Sequence, residues 1–305
     1  MAVLRHPASG RRFTVEAEHL VGRSPRCALP IHEPYVSAQH AVIRWTGERW
    51  EVKDLGSKNG TFVGEHRIAP GGQHPILAGA RLRFGHATQE WILEDDSAPS
   101  VMVVPLEGGE GIIVTGEIVA IPSSEEPLAV IYRGADGQWQ LERQDDALTP
   151  IEDQGTFEAG GRTWRLCCPS VLFPTSLPEE QIELKKVALQ FFVSRDEEHV
   201  ELRVATPDDN LNLGARTHHY LLLTLARLRL EDVARGIPDT ACGWIYQDEL
   251  VLQLDATPTQ LNVEVFRIRQ QFAGLKLRDA AGVIERRPRA RQLRIGVAKL
   301  SIEVL

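Results

Sequence analysis

The chain has 305 residues, a formal net charge of −8, and 43% hydrophobic residues. At roughly 100–200 residues per domain, this length implies two or three domains, and the apolar content excludes whole-chain disorder. No apolar secretory core opens the chain and no stretch approaches the ~18–20 apolar residues of a membrane span, so a soluble, cytoplasmic protein with no membrane partner is expected. Cys27, Cys167, Cys168 and Cys242 form no framework, because the adjacent pair lacks a C-x-x-C spacing. Neither a metal nor a cofactor is expected.

Residues 1–94 read as short strands separated by turn residues. Ala41–Trp45 and Arg49–Val52 flank a Gly47-containing turn, which predicts a hairpin. The polar, Pro-containing stretch 95–100 reads as a linker. Residues 101–168 are again strand-like and carry an internal repeat. Ala41-Val-Ile…Trp50-Glu-Val returns as Ala129-Val-Ile…Trp139-Gln-Leu, and Leu77–Arg81 returns as Glu158–Arg162. A second, eroded sandwich is expected there, with chance similarity between two β-rich segments as the competing reading. Pro169–Pro178 holds three prolines and reads as a second linker.

Beyond it, Leu189–Val193 and His199–Val204 read as strands. Thr217 is placed to cap a helix with Tyr220, Leu221, Leu225 and Leu228 on its apolar face. A short helix is predicted over Tyr246–Leu254. Thr257 and Pro258 open a third helix, with Leu261, Val265, Ile268 and Phe272 as its buried stripe. Gly282–Gly296 reads as a β-hairpin with Arg287 and Arg289 near its tip. Residues 217–305 carry 13 Lys and Arg against 10 Asp and Glu, whereas the rest of the chain is acidic. This asymmetry leaves room for nucleic-acid contact at one end.

Two sets of residues carry resemblances. Gly22-Arg23, Ser37-x-x-His40 and Ser57-Lys58-Asn59-Gly60-Thr61 follow one another in a β-rich segment, with Asp54 ahead of the last. Residues 1–95 thereby resemble the forkhead-associated (FHA) domain, a β-sandwich that binds phosphothreonine on a partner protein. The resemblance implies that Arg23 and Ser37 hold the phosphate, that Lys58 adds charge on the phosphate loop, and that Asn59 holds the peptide backbone. Gly22, His40, Gly60 and Thr61 would support the site. In the second copy, 101–168, the position matching Ser37 is Glu125 and that matching His40 is Leu128, so a degenerate FHA-like domain without phosphate chemistry is expected.

The order strands, three helices, basic hairpin, together with Leu261–Phe272, resembles the OmpR/PhoB-type winged helix of bacterial response regulators, over 185–305. That resemblance implies a DNA-binding surface of Thr259, Gln260, Asn262, Arg267 and Arg269 on the third helix, with Arg286, Arg287, Arg289 and Arg291 on the wing. Glu264 departs from the pattern and the family's glycine-rich wing is missing. The expected architecture is therefore multidomain, β then α+β: an FHA sandwich, a degenerate FHA-like sandwich and a winged helix-turn-helix. The expected function is a phosphothreonine-dependent transcription regulator coupling Ser/Thr kinase phosphorylation to double-stranded DNA. The alternative is an adaptor or scaffold whose winged helix contacts protein. An enzyme is not expected, since no nucleotide loop, kinase set or H-E-x-x-H helix is present.

Overall fold

The structure, a computed structural model, describes residues 2–143, 148–169, 182–275 and 277–305. It opens with β1 (Ala2–Arg5), β2 (Arg12–Val15), β3 (Glu18–Gly22), β4 (Leu29–Pro30), β5 (Ala41–Trp45) and β6 (Trp50–Asp54). β7 (Thr61–Val63), β8 (His66–Arg67), β9 (Gln73–Ile76), β10 (Arg81–Phe84) and β11 (Glu90–Asp95) follow. The next stretch holds β12 (Met102–Pro105), β13 (Ile112–Ile113), β14 (Ile118–Pro122), β15 (Pro127–Arg133), β16 (Trp139–Arg143), β17 (Leu148–Pro150), β18 (Thr156–Ala159) and β19 (Arg162–Cys167). After it come β20 (Ala188–Val193), β21 (Val200–Ala205), β22 (Asn210–Ala215), α1 (His219–Ala234), β23 (Ile245–Tyr246), α2 (Gln247–Gln253) and α3 (Pro258–Ala273). The chain closes with β24 (Ile284–Arg287), β25 (Gln292–Ile295) and β26 (Lys299–Val304). No described helix is long and apolar enough to cross a membrane.

The chain divides into two compact units, Met1–Val114 with Asp153–Ser176, and Thr115–Glu152 with Leu177–Leu305. The first unit contains a six-stranded sheet, β2-β1-β11-β10-β7-β8, and a five-stranded sheet, β4-β3-β5-β6-β9. Side chains alternate along the strands because successive residues of a strand point to opposite faces. In β11, Trp91 and Leu93 are buried while their neighbours are half-buried; in β5, Ala41 and Ile43 are buried. These join Leu4, Trp50, Val52, Leu82 and Phe84 in one apolar core. The predicted hairpin is β5–β6, closed by directly paired Trp45 and Trp50 with ring centroids 5.5 Å apart.

In the second unit, β22-β21-β20-β26 and β23-β25-β24 form two further sheets. Leu221, Leu222 and Leu225 of α1 and Leu261, Val265, Ile268 and Phe272 of α3 share one core with Phe191, Leu202 and Val204. α3 starts as its sequence predicts. The Thr257 hydroxyl accepts from the Gln260 amide, and the Gln260 side chain accepts in return from the Thr257 amide. α1 differs from expectation. His218 occupies its N-cap position with no side-chain cap bond, and Thr217 lies one residue earlier in a turn whose carbonyl accepts from the Tyr220 amide.

Residues 101–168, expected as one module, are shared between the two units. β13-β12-β19-β18 lies in the first and β14-β15-β16-β17 in the second. The first of these orders parallels β2-β1-β11-β10, and the second parallels β3-β5-β6-β9. The third element of the repeat needs a correction. Leu77–Arg81 leads into β10, whereas Glu158–Arg162 joins β18 to β19. Gln154, not Gly160, shares the backbone pattern of Gly79. Gly79 and Gln154 each have positive φ and donate their amide to a buried leucine carbonyl, Leu93 and Leu166 respectively. Each leucine amide in turn donates to the next residue's carbonyl, at Ala80 and Gly155. Of the predicted linker Pro169–Pro178, all but Pro169 lies outside the described residues.

Candidate functional site

Three loops at one end of the first unit's five-stranded sheet carry the polar motif residues. Gly22 ends β3, and a Cβ there would lie 2.4 Å from the Ala38 carbonyl oxygen. The close approach lets the two loops zip together: the Arg23 amide donates to Ser37 O at 2.8 Å and the Ser24 amide to Ala38 O at 3.1 Å. Gly22→Ala is therefore expected to destabilise the first unit by roughly 1–3 kcal/mol, the usual range for overpacking, read as a fall in melting temperature. A melting temperature equal to that of the unaltered chain would contradict this close packing.

The Arg23 side chain is exposed, and its Nε donates to Val36 O at 3.2 Å. Ser37 Oγ accepts from the Lys58 amide at 3.1 Å, which ties the second loop to the third. Asn59 Nδ2 donates to Tyr35 O at 2.7 Å, a second tie between the same loops. The Tyr35 hydroxyl is paired with Thr88 Oγ1 at 2.8 Å, so this residue is fixed at both ends. The Lys58 side chain is exposed. The arrangement presents one guanidinium, one ammonium, one hydroxyl and one amide on loops that are bonded to each other.

His40 and Asp54 lie beneath these loops, both fully or almost fully buried. His40 Nδ1 accepts from the Ser37 amide at 3.1 Å, so the proton sits on Nε2, which donates to Gly60 O at 3.1 Å. Burial pushes the imidazole below its ordinary pKa, against the opposing effects of the Gly60 bond and Asp54. The ring therefore stays neutral, as a bridge with one donor and one acceptor requires. Asp54 Oδ1 accepts from the amides of Gly56 and Ser57 at 2.8 and 2.9 Å, and Oδ2 from the hydroxyls of Ser57 and Thr61 at 2.5 and 2.7 Å. Burial alone would raise this carboxyl's pKa; the Ser57 and Thr61 hydroxyls and the two amides more than offset it and hold it below the usual value. Gly60 has φ +87°, a conformation that favours glycine, and donates to Ser57 Oγ at 3.0 Å. Asp54 and Ser57 were not among the site residues expected from sequence. The signal was present as an acidic residue two and three positions before free amides, the pattern of an Asx turn.

The nine residues expected on a DNA surface do not form one array. Thr259 and Arg267 are exposed on α3, and Arg289 is exposed on the hairpin. Gln260 is engaged in the capping box. Arg287 stacks over Trp244 at 3.9 Å and donates to Thr240 O, while Arg291 pairs with Asp248 at 3.3 Å. Asn262, Arg269 and Arg286 are brought together, but around a carboxylate of this chain. Arg269, expected to face outward, is only 2% exposed. Its Nη1 lies 2.9 Å from Glu142 Oε2, its Nη2 donates to Ile284 O at 2.8 Å, and its guanidinium lies 5.0 Å from the Tyr132 ring centre. Arg286 Nε lies 3.2 Å from Glu142 Oε1 and its Nη2 donates to Asn262 Oδ1 at 2.8 Å. The reason is a second buried face on α3 that the first apolar stripe did not reveal.

Residues 19–85 match the family model described as FHA domain. The FHA domain-containing protein FhaB of Mycobacterium tuberculosis is 32% identical over 91 residues, which cover 30% of this chain and 57% of that protein. Smad nuclear-interacting protein 1 of Mus musculus is 33% identical over 97 residues, covering 27% of this chain and 25% of that protein. The chain thus spans a little over half of the first relative's length and a quarter of the second's. Among solved structures, Mycobacterium tuberculosis EmbR in complex with a low-affinity phosphopeptide is 28% identical, covers 32% of this chain and 25% of that one, and has a TM-score of 0.29.

Proposed function

We infer from the FHA domain at residues 19–85 that this chain is a phosphothreonine-dependent signalling protein. Its partner is a phosphothreonine-bearing protein, a Ser/Thr kinase or a substrate of one. The observation that carries the reading is the set of three mutually bonded loops presenting Arg23, Ser37, Lys58 and Asn59. A phosphothreonine brings close to two negative charges and three acceptor oxygens. Arg23 supplies a planar guanidinium for it, Ser37 a hydroxyl, and Lys58 a point charge. Asn59 holds the peptide backbone, which fixes the residue that carries the phosphate. His40, Asp54, Gly60 and Thr61 act from beneath by keeping the loops in place. Selection of a random peptide library by the full chain, before and after phosphorylation by a Ser/Thr kinase, tests this reading. Enrichment confined to threonine-phosphorylated peptides supports it; equal enrichment of unphosphorylated peptides contradicts it.

Residues 101–168 are an eroded FHA-like copy in this reading. Two parallels in strand order and the shared Gly79–Leu93 and Gln154–Leu166 bonding support it, and among the described residues the copy shows no counterparts of β4, β7 and β8. Residues 185–305 are the output module, of OmpR/PhoB winged-helix type, and its task is to couple phosphothreonine docking to double-stranded DNA as a transcription regulator. The helix order and the β24–β25 hairpin favour that assignment. A second reading, an adaptor whose C-terminal module contacts protein, is favoured by the burial of Arg269 against Glu142.

A further inference from the structure

α3 has two buried faces. The first, Leu261, Val265, Ile268 and Phe272, belongs to the core of its own module. The second is the same spacing advanced by one residue: Asn262, Phe266, Arg269 and Ala273. One residue is about 100° of helix, so the two stripes stand side by side. The sheet β14-β15-β16-β17 covers the second stripe. Phe266 packs on Ile118, Ala120 and Val130, and Gly116 lies so close that a Cβ there would be 3.1 Å from the Ala273 Cβ. Between the apolar contact and the hairpin, the Glu142 carboxylate is gripped by one arginine from α3 and one from β24.

This contact has the character of a dock that can open. Its apolar part is four buried residues. Its remainder is a buried carboxylate with two guanidiniums, and the loss of hydration offsets much of the attraction in such a cluster. A cavity of about 510 Å³ lies beside it, lined by Tyr132, Gln140, Glu142, Arg269, Ile284 and Arg286. α3 keeps its first face and its N-terminal cap without the sheet. Once uncovered, its second face would present Arg269, with Arg286 of β24 beside it across the Glu142 position, and Glu264 is the one carboxylate on the helix. Arginine forks on a helix narrow enough for the major groove are suited to a phosphodiester backbone.

We propose that the β14–β17 sheet is a built-in competitor for duplex DNA: the Glu142 carboxylate sits between Arg269 and Arg286 where a backbone phosphate would sit, and α3 is closed to DNA until the sheet lifts away. The proposal rests on the DNA-binding reading of the output module. It gives the middle segment a task that needs none of the phosphate chemistry it lacks.

The test is fluorescence anisotropy of the full chain with a random-sequence DNA duplex across a salt series. Four proteins are compared: the unaltered chain, Glu142→Gln, Val130→Asp, and Glu142→Gln with Arg269→Ala. Val130→Asp disrupts the apolar contact from the sheet side without adding a cation. Hydrogen exchange of α3 in each protein reports whether the sheet has lifted. Glu142→Gln and Val130→Asp are expected to bind at least tenfold more tightly than the unaltered chain, with a slope near 0.9 per phosphate neutralised. Removal of Arg269 is expected to return affinity to the unaltered level. If the unaltered chain already binds as tightly as Glu142→Gln, or the gain survives loss of Arg269, the competitor role is overturned while DNA binding stands. If α3 exchanges faster in both single variants and neither binds DNA, the competitor role and the regulator reading both fall, leaving the adaptor.

Discussion

Arg23→Ala is expected to weaken binding of a phosphothreonine peptide by about 10- to 100-fold. A charge-assisted hydrogen bond contributes about 1.5–3 kcal/mol, and each 1.4 kcal/mol is a factor of ten. Stability should change little, because Arg23 is exposed and, among the described residues, its side chain bonds only from Nε to Val36 O. Arg23→Lys should fall between the two, since lysine keeps the charge and loses the planar fork. Titration calorimetry with a phosphorylated peptide checks this. Unchanged affinity in Arg23→Ala would remove Arg23 from the site. Affinity should also drop as pH falls below about 6, where the phosphate takes up its second proton.

Asp54→Ala should act through the fold. The carboxylate accepts two amides and two hydroxyls in the turn that carries Lys58, Asn59 and Gly60. Thr61 is fully buried and Ser57 nearly so. Removing their shared acceptor leaves buried donors unmet, at about 1–3 kcal/mol of stability. Peptide affinity should fall as well, although Asp54 touches no ligand. The pH dependence has a defined sign. The folded carboxyl titrates below its ordinary value, so its contribution is present above about pH 3.9, the unfolded value, and is lost as pH falls through the lower, folded value. The stability gap between the unaltered chain and Asp54→Ala should therefore narrow in acid, as measured by denaturant unfolding between pH 3 and 7. A gap that stays constant over that range would contradict the role assigned to the carboxylate.

The three mutually bonded loops were legible in sequence because each carries a residue that local chemistry singles out. Gly22 is required by the Ala38 carbonyl, Gly60 by a positive φ, and His40 by a bridge only a neutral imidazole can make. Asp54 was visible but not weighed, since its four bonds are formed only once the turn closes. In the middle segment, Ala129 and Trp139 fall on β15 and β16 as Ala41 and Trp50 fall on β5 and β6, whereas Glu158–Arg162 does not take the place of Leu77–Arg81. Gly160 matches Gly79 by residue type, whereas the backbone matches Gly79 with Gln154, a non-glycine residue at positive φ. In α3 the first stripe was read correctly from its spacing. The second was signalled by Phe266, a large apolar residue off that stripe. The Glu142 partner of Arg269 lies 127 residues earlier, beyond the reach of helical periodicity, so Arg269 read as an outward cation. Where a polar residue's role depends on its own loop, sequence gave it up; where it depends on a distant strand, only the fold could.

The central claim is that the chain distinguishes phosphorylated from unphosphorylated threonine. The most direct measurement is calorimetric titration of the full chain with a peptide selected from the kinase-treated library, beside its unphosphorylated twin, repeated with Arg23→Ala. Saturable binding of the phosphopeptide, at least tenfold weaker binding of the twin, and loss of that difference in Arg23→Ala are expected. Equal binding of the two peptides by the unaltered chain would contradict the account.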